Sequence, residues 1–224
     1  MPLILVFVEC GLELIPRNIR DHPSVKKNLS SRIYSSQLLD NSLHFSAMKK
    51  LKNREKRGRP DIIHNCLLNA LGSPLNKNGN LKIYIHTINN KIYEFNSEIR
   101  IARNYNRFKG LMAKLLIDGS IETENSKLII QFAGNLNQLI NTFENPELSI
   151  LSSKGKLIND LMQLFIEDIS KTYVTIIGGF QKGSFSPNIS NLSKNFISIS
   201  QYPLDAWVVT NRIITYYELR YRII

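Results

Sequence analysis

Segments typical of buried strands alternate with segments of helical hydrophobic spacing through most of the 224-residue chain. The first strand is predicted at 3–9, LILVFVE. The carboxyl-terminal third is the most regular part, with strands predicted at 172–179 and 196–200 and a long helix at 205–222. Because strands and helices in alternation bury a sheet between helices, the pattern predicts a single α/β domain.

Capping residues and hydrophobic periodicity predict further elements between these ends. Asp61 is predicted to cap a helix that ends at Gly72, and Asn104 a second helix that ends at Gly119. A β-hairpin is predicted at 81–96, with an Asn-Asn pair at its turn. The remaining predicted elements are a polar helix at 23–33, a strand at 127–132, a helix at 135–143, a strand at 148–152 and a helix at 155–168.

The charge balance favours a polyanionic partner. Lys and Arg number 29 against 18 for Asp and Glu, a net charge of +11, and such a surplus is typical of proteins that bind nucleic acid or anionic membranes. Apolar runs are too short to cross a bilayer, and no strongly amphipathic basic helix favours a membrane surface. Two cysteines, Cys10 and Cys66, and four scattered histidines predict no disulfide framework, no bound metal and a reducing, cytoplasmic setting.

Basic residues cluster between positions 46 and 59, where Glu55 is the one acid. The basic residues of this run are Lys49, Lys50, Lys52, Arg54, Lys56, Arg57 and Arg59. Such a run is either a solvated loop or helix face, or a surface that contacts phosphates. The sequence leaves both interpretations open.

Two loops that follow predicted strands are candidates for a ligand site. The first contains Gly178, Gly179 and Gly183, and the second is ISQYPL at 199–204. Glycines after a buried strand let a ligand approach the backbone, and ligands of open α/β sheets lie at the carboxyl ends of the strands. The alternatives are a plain tight turn for the first loop and a helix-initiating loop for the second.

Arginines recur near two predicted helix starts. Arg100, Arg103 and Arg107 are spaced by three and four residues, and together with free helix amides they would form an anion site. The alternative is that they make surface ion pairs. Two residues after Arg59, Asp61 either caps a helix or holds a nearby arginine by a charged hydrogen bond.

Four motifs together make the chain resemble one family. The motifs are RPDIIHNCLLNALGSPLNKNGNLKIYIHT, RIARNYNRFKGLM, VTIIGGFQKG and ISISQYPLDA. They occur in the order and spacing of the ribosome-biogenesis pseudouridine N1-methyltransferases, the nucleolar essential protein family of the SPOUT class. The resemblance runs from about Leu3 to the end, and the chain is similar to archaeal members, which lack a long eukaryotic-style extension.

The resemblance implies a parallel sheet flanked by helices, with a trefoil knot near the carboxyl end. It implies one domain, 1–224, whose knot region at about 148–224 binds S-adenosylmethionine. It also implies a homodimer that acts on small-subunit rRNA, with ribosomal proteins or assembly factors as further contacts. Carried over by position, the S-adenosylmethionine-binding residues would be Leu151, Gly178, Gly183, Ile199, Ser200, Gln201, Tyr202, Pro203 and Leu204.

The same resemblance assigns RNA contacts and a reaction. The RNA-binding arginines would be Arg59, Arg100, Arg103 and Arg107. Asp61 matches an acid that braces one of them, so Arg59 and Asp61 would have an electrostatic or orienting role in methylating ring N1 of a pseudouridine. Ala102 departs from the family, which often has proline there. Two alternatives remain, a different target nucleoside and an assembly factor whose catalysis is secondary to RNA binding.

Overall fold

The computed structural model describes residues 2–160, 164–165 and 171–223. Its strands are β1 (Leu3–Cys10), β2 (Leu81–Thr87), β3 (Ile92–Phe95), β4 (Ile121–Glu122), β5 (Lys127–Phe132), β6 (Pro146–Leu157), β7 (Thr172–Gly178) and β8 (Phe196–Ser198). Its α-helices are α1 (Pro23–Lys26), α2 (Tyr34–Gln37), α3 (Asn41–Met48), α4 (Pro60–Gly72), α5 (Pro74–Lys77), α6 (Tyr105–Asp118), α7 (Leu136–Ile140), α8 (Pro187–Ser190) and α9 (Ala206–Tyr221).

The strands form one sheet in the order β4-β5-β3-β2-β1-β7-β6-β8. Strand β1 pairs in parallel with β2 and β7, and β6 pairs in parallel with β7 and β8. The predicted parallel sheet is therefore confirmed for these five strands. The predicted hairpin, β2 and β3, turns the chain and adds an antiparallel extension that β5 and β4 continue.

The sheet is buried on both faces, and β1 shows how. All eight residues of β1 are buried, which confirms the predicted buried first strand. Side chains alternate between faces along a strand. Leu5 and Phe7 pack in the cluster that includes residues of α4, α6 and α9, whereas Val6 and Val8 pack in the cluster that includes residues of α7 and α8. Helices thus cover both faces of an α/β sheet.

The residues between β1 and α4 in the sequence form a separate small core. Ile15, Val25, Leu39, Met48 and Leu51 pack together there, and they come from α1, α3 and the adjoining loops. This helical layer supports the first part of the basic run. The part of the run that follows Met48 forms a turn and a 3-10 helix at Arg54–Lys56, rather than a continuous helix face.

Helix caps explain where the longer helices begin and end. The Asn104 side chain accepts a hydrogen bond from the amide of Arg107 at 3.1 Å, so Asn104 is the N-cap of α6 as predicted. Gly119 ends that helix with φ of 85°, a conformation that glycine adopts at little cost. Asn90 also has a positive φ, as the predicted hairpin turn requires.

Several predicted boundaries are wrong. Asp61 does not cap α4, because the helix already begins at Pro60 with Arg59 as N-cap, which leaves the Asp61 carboxylate free for another partner. The helix predicted at 155–168 is wrong at its start, because β6 continues to Leu157; part of that prediction lies outside the described residues. A polar helix is predicted at 23–33, but within this range the chain is helical in α1, Pro23–Lys26, alone.

The trefoil knot and the boundaries of a single domain stay predictions. Within the described residues, no helix combines the length and the apolar character needed to cross a membrane.

Candidate active site

A crevice with a volume of about 400 Å³ opens at the carboxyl ends of β7 and β8, beside the middle of β6. Parallel strands place their carboxyl ends at one edge of the sheet, so loops that are distant in sequence meet there. Leu151 comes from β6, Gly178 ends β7, and Ile199 follows β8. The start of α9 closes another side with Ala206. The two loops singled out in the sequence therefore form walls of one cavity.

The crevice brings together nearly all of the predicted cofactor-binding residues. Those that line it are Leu151, Gly178, Gly183, Ile199, Ser200, Tyr202, Pro203 and Leu204. The exception is Gln201, which is exposed and is not among the lining residues. The turn from Ser200 to Tyr202 is fixed by the Ser200 hydroxyl, which accepts a hydrogen bond from the Tyr202 amide at 3.0 Å.

Ser152 and Ser153 also line the crevice, and the sequence did not indicate them. They follow Leu151 in β6, where the pairing with β8 shifts register between Leu151 and Lys156. A bulge of this kind bends a strand and redirects its side chains. The apolar residues Ile177 and Ile197 lie beside them, so the cavity offers both hydroxyl groups and a hydrophobic surface.

Arg59 faces the same crevice, held by Asp61. The Arg59 Nε donates to Asp61 Oδ1 at 2.8 Å, and Nη2 donates to Oδ2 at 2.6 Å. This two-bond geometry fixes the plane of the guanidinium as well as its position. Hydrogen bonding to Asp61 raises the pKa of Arg59, so the side chain is a permanent cation. The predicted bracing of an arginine by Asp61 is confirmed.

Helix α4, which follows Arg59, also holds the arginine loop, defined here as residues 100–103. The His64 Nε2 donates to the backbone carbonyl of Ala102 at 2.7 Å. The His64 ring stacks on Phe108 of α6, with centroids 4.3 Å apart and an interplanar angle of 20°. One helix, α4, therefore connects the crevice to the arginine loop.

Arg100, Arg103 and Arg107 are exposed and are not among the residues that line the crevice. They lie on the arginine loop and the first turn of α6. Since His64 ties that loop to α4, the three arginines occupy a surface linked to Arg59 through one helix. The structure thus separates an internal arginine in the crevice from three external ones.

A buried ion pair supports the loop that follows β7. The Lys56 Nζ lies 2.6 Å from Glu9 Oε2, with both side chains at most 10% exposed. The second Glu9 oxygen, Oε1, accepts from the Ser186 amide at 3.2 Å. The same ammonium lies 4.7 Å from the centre of the Phe180 ring, and Phe180 lines the crevice. No local pattern in the sequence indicates Glu9, because its partners are distant in the chain.

Asp205 and Trp207 are two further lining residues that the sequence analysis did not select. Asp205 is the N-cap of α9, yet its side chain makes no capping hydrogen bond. Its negative charge adds to the effect of Asp61 on the pKa of Arg59. The crevice therefore carries one arginine close to two carboxylates.

The crevice has the properties that an adenosine-containing methyl donor requires. Its volume lies in the range of small-molecule sites, and it combines apolar walls with a few polar groups. A Cβ at Gly178 would lie 2.9 Å from the Phe180 ring, so glycine keeps this wall open. The residues present fit S-adenosylmethionine.

The α/β sheet, the strand-end crevice and its braced arginine define a methyltransferase of the SPOUT class. The chain matches the EMG1/NEP1 methyltransferase family over residues 5–218, and it belongs to that family.

Individual relatives agree over nearly the whole chain. The ribosomal RNA small subunit methyltransferase Nep1 of Staphylothermus marinus is 41% identical over 228 residues, which cover 100% of this chain and 98% of the relative. The protein of the same name from Saccharolobus solfataricus is 40% identical and covers 95% of each chain. The crystal structure of Archaeoglobus fulgidus Nep1 bound to S-adenosylhomocysteine superposes with a TM-score of 0.86 at 35% identity, and covers 99% of this chain and 100% of that one.

Proposed function

We propose that the protein transfers a methyl group from S-adenosylmethionine to ring N1 of a pseudouridine in small-subunit rRNA. The observation that carries the proposal is the Arg59 guanidinium, fixed by Asp61 within the crevice that the two strand-end loops enclose. The relatives named as small-subunit rRNA methyltransferases, and the neighbour bound to the demethylated cofactor, support the same activity.

The residues proposed to hold the cofactor are those of the two crevice loops and the middle of β6. When bound, S-adenosylmethionine supplies an electrophilic methyl group on a sulfonium sulfur. Backbone groups around Gly178 and Ser200 and the hydroxyls of Ser152 and Ser153 offer hydrogen bonds to a polar cofactor, and Ile177 offers an apolar contact. Holding both reactants in one geometry supplies much of the rate in a direct transfer.

Pseudouridine is selected by chemistry as well as by shape. Its ring is joined to ribose through carbon, so N1 carries a proton, whereas the same nitrogen of uridine is bonded to ribose. As N1 gives up that proton to solvent water, negative charge spreads over the ring carbonyls. A preorganised cation stabilises such charge. Arg59 is the cation in place to do so, and Asp61 prevents it from rotating away.

The external arginines are proposed to hold the RNA while its base enters the crevice. Arg100, Arg103 and Arg107 are exposed, and guanidinium groups bind phosphates through paired hydrogen bonds. A nucleotide must leave its stack to place N1 in a cavity, and backbone contacts fix the strand while it does so. The internal and external arginines thus have separate roles.

The test is methyl transfer from labelled S-adenosylmethionine to matched rRNA hairpins that differ at the target, pseudouridine or uridine. We expect label in N1-methylpseudouridine from the first hairpin and none from the second. Label in another base or in ribose would assign a different nucleoside target. Tight hairpin binding without any transfer would instead favour an assembly factor that binds RNA.

We also propose that the protein works as a homodimer in the cytoplasm, as the family resemblance implies. Light scattering at micromolar concentration should then give twice the 25.7 kDa mass of the chain. A mass of one chain would contradict the dimer and leave the methylation proposal standing.

A further inference from the structure

We propose that an exposed strip beside the crevice is a second RNA-binding surface, which binds single-stranded rRNA next to the target nucleotide. The strip consists of Phe45, Lys49, Lys50, Lys52 and Arg54 and is called the basic strip below. This inference rests on the proposed function and adds a surface to the four arginines assigned above.

The basic run divides into an internal and an external part. Lys56, Arg57 and Arg59 point inward: each pairs with an acid, namely Glu9, Glu13 and Asp61. The Arg57 pair is bidentate, with nitrogen–oxygen distances of 2.7 and 2.6 Å, and its carboxylate is 2% exposed. The pairs with Glu9 and Glu13 fasten the end of the run to β1 and to the loop that follows it.

Within the part of the chain that the structure describes, the external part makes no such pairs. Lys49, Lys50, Lys52 and Arg54 are exposed. Among the ion pairs of the described residues, none joins these four side chains to an acid. A cluster of unneutralised cations on a fixed backbone attracts a polyanion and releases counterions when it binds one.

The internal pairs determine where the strip lies. A Cβ at Gly183, in the crevice wall, would approach Lys56 Cε to 3.3 Å and Glu55 Cγ to 3.7 Å. The 3-10 helix that contains Arg54 therefore touches the wall of the crevice. The backbone amide of Asn41 donates to the carbonyl of Gly58 at 2.7 Å, so α3 begins beside the residue before Arg59. The strip thus borders the proposed active site.

An exposed aromatic ring belongs to the same strip. Phe45 is 59% exposed, although a phenylalanine in a helix normally faces a core. Phe45 lies one helical turn before Lys49. Because Lys49 still has helical backbone angles, the two side chains lie on one face of the helix. Cations next to an exposed aromatic ring are typical of surfaces that bind unpaired nucleotides, because bases stack on the ring while the cations contact phosphates. The chemistry therefore favours single-stranded RNA.

The lysines are tested through the salt dependence of RNA affinity. The binding constant for a single-stranded rRNA fragment that contains the target is measured from low to moderate salt. For Lys49→Gln/Lys50→Gln/Lys52→Gln, we expect the slope of log affinity against log salt to fall by about 2, since each phosphate contact contributes about 0.7 on single strands. A matched triple variant of exposed lysines from the β2–β5 part of the sheet, Lys82→Gln/Lys91→Gln/Lys127→Gln, should keep the wild-type slope.

Phe45 gives an independent readout. Phe45→Ala should weaken RNA binding by about tenfold at every salt concentration without changing the slope, because stacking releases no counterions. Leu43→Ala, a truncation of a neighbouring side chain that is 41% exposed, is the control and should bind as wild type. Both Phe45→Ala and the first triple variant should bind S-adenosylmethionine normally, since the strip does not line the crevice.

A wild-type slope in the first triple variant, or wild-type affinity in Phe45→Ala, would refute the proposal that the basic strip binds RNA. Failure of the proposed function looks different, because wild-type protein would then transfer no methyl group to the pseudouridine hairpin. If the wild-type protein methylates the hairpin and the triple variant keeps the wild-type salt slope, the proposed function stands and the RNA-binding role of the basic strip is refuted.

Discussion

Gly178 is the residue at which β7 ends and the crevice begins. A Cβ there would lie 2.9 Å from Phe180 Cε1 and 3.3 Å from Phe185 Cε1, two rings that line the cavity. A branched side chain must therefore displace those rings or enter the space proposed for the cofactor. We expect Gly178→Val to lower the affinity for S-adenosylmethionine at least about tenfold in titration calorimetry, the cost of one poorly accommodated group.

Gly72→Ala is the control for this variant. A Cβ at Gly72 meets no atom within 4 Å, so alanine fits at the end of α4. Because alanine also has the higher helix propensity, this variant should fold at least as stably and bind the cofactor normally. Unchanged affinity in Gly178→Val would refute the assignment of this wall to the cofactor.

Among the elements, helix α4 links the crevice to the RNA-binding surface. Arg59 caps its amino end, and His64 lies about one turn later and donates to the Ala102 carbonyl at 2.7 Å. The family resemblance implies that proline is common at the position of Ala102, where it would restrict the backbone of the preceding residue. Here the histidine hydrogen bond restrains the arginine loop instead. The loop carries Arg100 and Arg103, so its order should matter for RNA affinity.

Two substitutions of His64 separate the hydrogen bond from the ring contact. His64→Phe retains a ring to stack on Phe108 but loses the donor, and it leaves the Ala102 carbonyl without its partner. We expect about a tenfold loss of rRNA hairpin affinity with normal cofactor affinity. His64→Gln retains a donor and should recover part of the loss. Equal RNA affinity for wild type and His64→Phe would show that the loop is ordered without this bond.

Elements whose signals are local could be predicted from the sequence. Asn104 and Gly119 delimit α6 by their own side-chain and backbone chemistry, and the hairpin follows from its turn residues. The start of α4 was misplaced because both Arg59 and Asp61 precede apolar residues, and Pro60 at the first helical position decides between them. The end of β6 was misplaced because its continuation depends on pairing with β8, which is formed from residues far along the chain.

The residues of the candidate site also divide into those that a local sequence pattern indicates and those that depend on long-range contacts. Gly178, Gly183 and Pro203 each lie within a few residues of the end of a strand, so a local pattern in the sequence indicates their loops. Ser152 enters the crevice through a register shift in β6, and Glu9 meets partners 47 and 177 residues away. Long-range geometry of this kind leaves no local pattern to find.

At the scale of the whole molecule, Glu9 joins three distant parts of the chain. The Glu9 carboxylate accepts hydrogen bonds from the Lys56 ammonium of the basic run and from the Ser186 amide of the loop after β7. The Glu9 backbone amide donates to His86 Nδ1 on β2 at 3.2 Å. Glu9 has a φ of 52°, a left-handed conformation that costs a non-glycine residue free energy. The surrounding contacts must therefore hold it in place. The crevice wall and the basic run are fastened to the end of β1 through this residue.

Lys56→Met removes one partner and leaves the Glu9 carboxylate buried without its cation. We expect the free energy of unfolding in urea to fall by about 3 kcal/mol, the usual effect of breaking a buried ion pair from one side. The double variant Glu9→Gln/Lys56→Met should recover part of that loss, because no buried charge remains unpaired. Lys26→Met is the matched control: its partner Asp21 is 95% exposed, and such pairs contribute less than about 1 kcal/mol. If Lys56→Met cost no more than this control, Glu9 would not be fastening the crevice wall through Lys56, and the basic strip would lose its anchor as well.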